Sequence, residues 1–215
     1  MQTPIKAIVF DFGGVLLNWD PRNLYRHYFP DQPQAMDNFL AEINFHEWNA
    51  EQDKGRSFAE GIAEHSAQFP HHAHLIQAYF DNWEDSVTGA IAGTVEILQT
   101  LKSKGYPIFG LSNWSLETFP HVRHKYDFFD WLDDIILSGE VKLNKPDPAI
   151  FNLLLNKTGY SAPECVLIDD SKPNIDSANK LGFATVHFTS PENLHIELQR
   201  LKVLQTRTIN TGDLP

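Results

Sequence analysis

Residues 8–17 read IVFDFGGVLL: an apolar run stops on one carboxylate, turns through two glycines and resumes as apolar chain. Burying an unpaired carboxylate is costly, so Asp11 at the end of such a run is solvated at a sheet edge, paired with a cation, or used in chemistry. What the other strands deliver to the same edge decides between these.

Five short apolar runs, rich in β-branched and aromatic residues, have the pattern of buried parallel strands: IKAIVFDF (5–12), PIFGLS (107–112), DDIILS (133–138), CVLIDD (165–170) and FATVHF (183–188). Between the later runs, helical spacing recurs over 90–104, 115–126, 147–158, 172–181 and 191–202. The alternation predicts an α/β fold built on a doubly wound parallel sheet. Residues 19–89 break it, with amphipathic helical patterns at 34–49 and 57–68 and no strand. The chain is therefore expected to hold an α/β core over 1–18 and 90–205, a helical cap inserted after the first strand over 19–89, and a polar, Gly- and Pro-containing tail over 206–215 that frays.

Composition narrows the function. The 215 residues carry a formal net charge of -11 and no basic run, which argues against nucleic acid as a partner. The single cysteine, Cys165, has no partner within the chain, so a reducing compartment is expected. The start MQTPIKAIVF lacks a charged region followed by a long apolar stretch, and no segment reaches membrane-spanning length. These features predict a soluble, cytoplasmic protein with no membrane partner.

In open parallel sheets ligands bind beyond the carboxyl ends of the strands. The first strand ends at Asp11, the second at Ser112 and Asn113 (LSNWS), the segment after the third carries Lys145 (NKPDP), and the fourth ends at Asp169 and Asp170 (LIDDS). Singly, each has a plain structural reading: paired glycines make turns, Ser-Asn caps helices, and Lys-Pro-Asp-Pro opens one. Adjacent carboxylates closing an apolar strand are harder to explain without chemistry, because like charges repel. Together the set suits metal-assisted phosphoryl transfer. An Asp carboxylate attacks phosphorus, Mg²⁺ takes oxygen ligands from Asp11 and Asp170, Lys145 neutralises phosphoryl charge, and the Ser112 hydroxyl holds equatorial oxygens.

These residues resemble the four motifs of the haloacid dehalogenase superfamily: the strand-1 Asp (FDFGGV), the strand-2 Ser (LSNWS), the Lys (NKPDP) and the acidic pair (LIDDSKPNID). Within it the chain looks most like sugar-phosphate phosphatases and the phosphatase domain of soluble epoxide hydrolases. The resemblance implies a Rossmann-like core with a helical cap. It also implies Asp11 as nucleophile, Mg²⁺ on Asp11, the Gly13 backbone carbonyl and Asp170, and Asp169 and Asn174 ordering the surroundings. The expected partner is a small phosphorylated metabolite, and the expected state a monomer or homodimer.

One position departs from the pattern. Similar phosphatases carry a second Asp two residues after the nucleophile as general acid, and here Gly13 stands there. In the cap, EWNAEQDKGRSF places Arg56 where similar enzymes close a loop over the substrate, so Arg56 is a candidate phosphate or sugar contact. His71, His72 and His74 sit in a polar turn and are expected at the surface. Two other readings stand beside the phosphatase: a 2-haloacid dehalogenase, which needs no metal, and a related binding or regulatory protein of little activity. A signalling receiver has similar groups in the opposite chain order.

Overall fold

A computed structural model describes residues 3–205 of the chain; the tail expected over 206–215 lies outside the described residues. Among the described residues seven strands form: β1 Ala7–Phe10, β2 Leu17–Trp19, β3 Val87–Ala90, β4 Ile108–Ser112, β5 Asp134–Leu137, β6 Cys165–Asp169 and β7 Ala184–His187. Five make a parallel sheet in the order β5-β4-β1-β6-β7, and all five expected runs are in it. β1 is wholly buried, as its unbroken apolar run requires of a strand covered on both faces. Ile8 and Phe10 enter one apolar cluster while Ala7 and Val9 enter the other. This is the period-two alternation of a strand between two helical layers.

The helices around the sheet are α6 Ala92–Ser103, α7 Phe119–Arg123, α8 Ser138–Val141, α9 Pro148–Thr158, α10 Lys172–Lys180 and α11 Pro191–Arg200. They follow five helices in the stretch between β2 and β3, the expected cap: α1 Pro21–Tyr25, α2 Pro33–Glu42, α3 Phe45–Asp53, α4 Phe58–Gln68 and α5 Ala73–Asp81. α9 shows why its sequence stops where it does. Asp147 caps its start by accepting from the Ala149 N–H at 2.8 Å, Pro148 follows, and Gly159 ends it at φ 75°. No helix among the described residues is long and apolar enough to cross a membrane.

Three local expectations are corrected. The stretch expected to lack strands holds β3, which pairs antiparallel with β2 through Leu17↔Ala90 and Trp19↔Val87. This ribbon of three and four residues is too short, and too exposed on one side, to leave a hydrophobic pattern. The single helix expected over 34–49 is two, broken where Asn44 takes a left-handed φ of 47°, which Asn tolerates better than most residues. The helix expected over 115–126 shrinks to α7, because Pro120 in its first turn disfavours helix on its N-terminal side.

Candidate active site

The carboxyl ends of β1, β4 and β6 meet at one edge of the sheet, where the strand order reverses on either side of β1. The Asp11 N–H donates to Ile168 O at 3.0 Å, extending the β1–β6 ladder by one residue and fixing the start of the side chain. The residue is 7% exposed. Oδ1 accepts from Ser112 Oγ at 2.8 Å and from the Phe12 N–H at 2.7 Å, and Oδ2 lies 2.9 Å from Lys145 Nζ. Phe12 then turns down into the core, where a Cβ on Gly110 of β4 would come within 2.3 Å of its ring. Glycine at 110 is what lets the Phe12 ring pass beneath the site.

Lys145 is buried, and its three N–H donors have three acceptors: Asp11 Oδ2, Asp169 Oδ2 at 2.7 Å and Leu111 O at 2.8 Å. Its main chain is clasped by Asn113, whose Nδ2 donates to Lys145 O at 2.9 Å and whose Oδ1 accepts from the Lys145 N–H at 2.8 Å. The acidic pair divides its work. Asp169 is fully buried and accepts from Lys145, from Asn174 Nδ2 at 2.9 Å and from the Ser171 N–H at 2.9 Å, whereas Asp170 is exposed at the mouth of the site.

Electrostatics follow from this count. Carboxylate oxygens of Asp11, Asp169 and Asp170 lie within 4.8 Å of one another, and Lys145 is the cation among them. Burial raises the Asp11 carboxyl, Lys145 lowers it, and the charges of Asp169 and Asp170 leave it well above the usual carboxylate range. Asp170, open to solvent on one side, is raised by the partial desolvation of its other side and by the charge of Asp169. Burial opposes the Lys145 ammonium, but Asp11 and Asp169 more than offset this and raise it. The site holds more negative charge than its lysine neutralises, and a divalent cation with oxygen ligands fits that excess.

A cavity of about 510 Å³ opens over this edge. Its floor includes Asp11, Gly13, Ser112, Asn113, Lys145, Asp170 and Asn174; its other wall is Trp19 with the cap residues His46, Asn49, Asp53, Tyr79 and Trp83. The end of α3 and the loop after it are tied to the core. Asn144 Nδ2 donates to Ala50 O at 2.7 Å, Ser138 Oγ to Asp53 O, and Lys142 Nζ to Gly55 O at 3.1 Å. Asp53 O and Gly55 O lie at and just beyond a helix C-terminus, where main-chain acceptors lack intrahelical partners, while Ala50 O takes Asn144 as a second donor beside the Lys54 N–H.

The structure thus gathers Asp11, Gly13, Ser112, Asn113, Lys145, Asp169, Asp170 and Asn174 into one place. It does not bring Arg56 there. That guanidinium donates to Gln52 Oε1 at 2.6 Å and Glu64 Oε2 at 3.0 Å and is absent from the cavity wall, so its charge is satisfied within the cap. His71 and His72 lie at the outside, both bonded to Glu42. Sequence reasoning missed Trp19, His46, Asn49, Asp53, Tyr79 and Trp83. Asp53 alone left a signal: a carboxyl in the last turn of a helix opposes the helix dipole.

The haloacid dehalogenase-like hydrolase family profile matches residues 5–182, which includes every floor residue named above. The chain belongs to that family. The sesquiterpene phosphatase astK of Aspergillus oryzae is 25% identical over 205 residues, covering 94% of this chain and 98% of that protein. The (S)-2-haloacid dehalogenase 4A of Burkholderia cepacia is 28% identical over 104 residues, covering 48% and 45%. Among solved structures, a haloacid dehalogenase-family enzyme of Bacteroides thetaiotaomicron, in complex with magnesium and inorganic phosphate, superposes with a TM-score of 0.63 at 24% identity, over 86% of this hydrolase and 95% of that chain.

Proposed function

We propose that this hydrolase is a Mg²⁺-dependent phosphatase of small phosphomonoesters, of the sugar-phosphate kind, working through a phosphoryl group carried on Asp11. One observation carries the reading: the Asp11 carboxylate is fixed between the Ser112 hydroxyl and the Lys145 ammonium, at the floor of the cavity and beside the exposed Asp170.

The excess negative charge supports Mg²⁺ on Asp11, Asp170 and the Gly13 carbonyl, where it would offset repulsion between the nucleophile and an incoming phosphate. The rest of the work falls to side chains. Asp11 attacks phosphorus and displaces the alcohol; water then releases phosphate from the aspartyl group. Lys145 orients the carboxylate and balances charge on the transferring group, and the Ser112 hydroxyl, which donates to Asp11 in the free enzyme, would turn its one proton to an equatorial phosphoryl oxygen once Asp11 is bonded to phosphorus. Asp169 and Asn174 hold Lys145 and the start of α10, and Asn113 holds the Lys145 main chain. A cavity of about 510 Å³ suits a small metabolite. Its aromatic wall, with Asn49 and Asp53 among the rings, suits a leaving group with both apolar faces and hydroxyls.

Displacing halide from carbon needs no divalent cation and gives the exposed Asp170 no task, so the dehalogenase reading ranks second. Phosphate release from a panel of phosphorylated metabolites, with Mg²⁺ or excess chelator, tests the proposal against halide release from 2-chloropropionate. Mg²⁺-dependent phosphate release without halide release is expected. Halide release that survives chelation, without phosphate release, contradicts it.

A further inference from the structure

Phosphoryl transfer to Asp11, the reading on which this inference rests, leaves one proton without a source. An alcohol departs as a basic alkoxide unless a donor stands at its oxygen, and general acid help of this kind is typically worth roughly 10²- to 10⁴-fold. Gly13 offers no side chain. Ser112 Oγ already donates to Asp11, and all three Lys145 donors have acceptors.

The cap supplies the missing group. Asp53 is the one cap carboxyl lining the cavity that Asp11 and Ser112 also line. Its main chain is anchored: Ser138 Oγ donates to Asp53 O and itself accepts from the Trp114 N–H at 2.8 Å, so the residue is tied to the loop that leaves β4 two residues after Ser112. Its side chain is oriented by Asn49, one helical turn earlier, whose Nδ2 donates to Oδ2 at 2.8 Å. This anchoring matters, because a donor must be held near the reacting oxygen to contribute.

We propose that Asp53 is the proton donor to the leaving oxygen, replacing from the cap the acid that Gly13 does not provide. As Asp11 forms its bond to phosphorus, the bond from phosphorus to the ester oxygen breaks. The electron pair goes to that oxygen, which takes the Asp53 proton and leaves as the alcohol. Asp53, now a carboxylate, takes a proton from the water that attacks the phosphorylated Asp11. Phosphate and the free Asp11 carboxylate result, and Asp53 is again protonated. Its surroundings favour the acid form at the start of this cycle. Burial pushes the Asp53 carboxyl up to about 8, the Ser115 main chain opposes, and the Asp11 charge adds to the rise. Asp11, Lys145 and Asp170 on the core side, and His46 and Tyr79 on the cap side, are the titratable neighbours lining this cavity with it.

The role predicts dependence on the leaving group. A series of p-nitrophenyl, phenyl and benzyl phosphate, run with Mg²⁺ on wild type, Asp53→Asn and the double variant Gly13→Asp/Asp53→Asn, reads it directly. Aryl esters leave as stabilised phenolates and benzyl phosphate as an alkoxide. Asp53→Asn is expected to lower kcat/KM for benzyl phosphate by about 100-fold or more and for p-nitrophenyl phosphate by less than about tenfold. Retained nitrophenyl turnover certifies the fold. The double variant should recover part of the benzyl phosphate activity, since a Cβ at Gly13 meets only Trp19 Cβ, at 3.8 Å, and Gly13 lies outside the positive-φ region. Equal losses on all three esters, or no loss on any, overturn the donor role while leaving the phosphatase reading intact. A wild-type enzyme that releases phosphate neither from these esters nor from the metabolite panel overturns both.

Discussion

Asp170 Oδ2 lies 2.2 Å from the point that a Cβ on Gly14 would occupy, and Gly14 holds a φ of 74°. The second glycine of the turn after β1 is therefore the place into which the Asp170 carboxylate fits, and a side chain there is both strained and in the way. Gly14→Ala should push Asp170 away from Asp11. The expected result is a folded enzyme whose Mg²⁺ requirement for half-maximal phosphatase activity rises about tenfold or more, the equivalent of roughly 1.4 kcal/mol. A Mg²⁺ titration of activity, with circular dichroism as the fold control, checks it.

Lys145 is buried between Asp11 and Asp169. Replacing it with Met strands two carboxylates and removes the charge that balances the transferring phosphoryl group. Loss of one partner of a buried pair typically costs about 3–5 kcal/mol, so Lys145→Met should lower the unfolding midpoint markedly. In the protein that remains folded, kcat should fall far more than KM rises, because the balanced charge belongs to the transition state. Steady-state kinetics and a thermal melt on the same preparation separate the two effects.

Ser138 is fully buried and links cap to core by bonding both Asp53 O and the Trp114 N–H. Ser138→Ala leaves one buried donor and one acceptor without partners, a loss of roughly 1–3 kcal/mol. Denaturant unfolding should show a lower midpoint with little change in slope, since the exposed area is nearly the same.

The acid held at position 53 also has a thermodynamic signature. Its carboxyl rises on folding to about 8, against an unfolded value of about 4. Between these values the folded state binds more protons than the unfolded state, so the stability that this group contributes is present at low pH and is lost as pH rises through the folded value. Asp53→Asn abolishes that titration. The melting temperature of Asp53→Asn minus that of wild type should therefore grow from about pH 4 to about pH 8 and then level. A difference that is flat with pH contradicts the raised carboxyl.

The floor of the site was legible in the sequence because parallel strands write it plainly. Asp11, Ser112 and Asp169 each close a buried apolar run, and the topology carries such ends to one edge. The opposite wall was not legible. His46, Asn49 and Asp53 come from α3 and Tyr79 from α5, and an amphipathic pattern reveals which helix face is buried without saying what buries it. Arg56 misled for the same reason: its charge suggested a ligand, but Gln52 and Glu64 were already in reach along the cap. Trp19 and Trp83 frame the β2–β3 ribbon, whose pairing depends on residues about seventy apart and leaves no local trace.

The central claim is that Asp11 carries the phosphoryl group. Rapid acid quench during turnover of p-nitrophenyl phosphate with Mg²⁺, followed by peptide mass spectrometry, tests this most directly. One added phosphoryl group is expected on Asp11 in wild type, with neither label nor turnover in folded Asp11→Asn. Phosphate on another residue, or an Asp11→Asn enzyme that still turns over near the wild-type rate, would contradict the account.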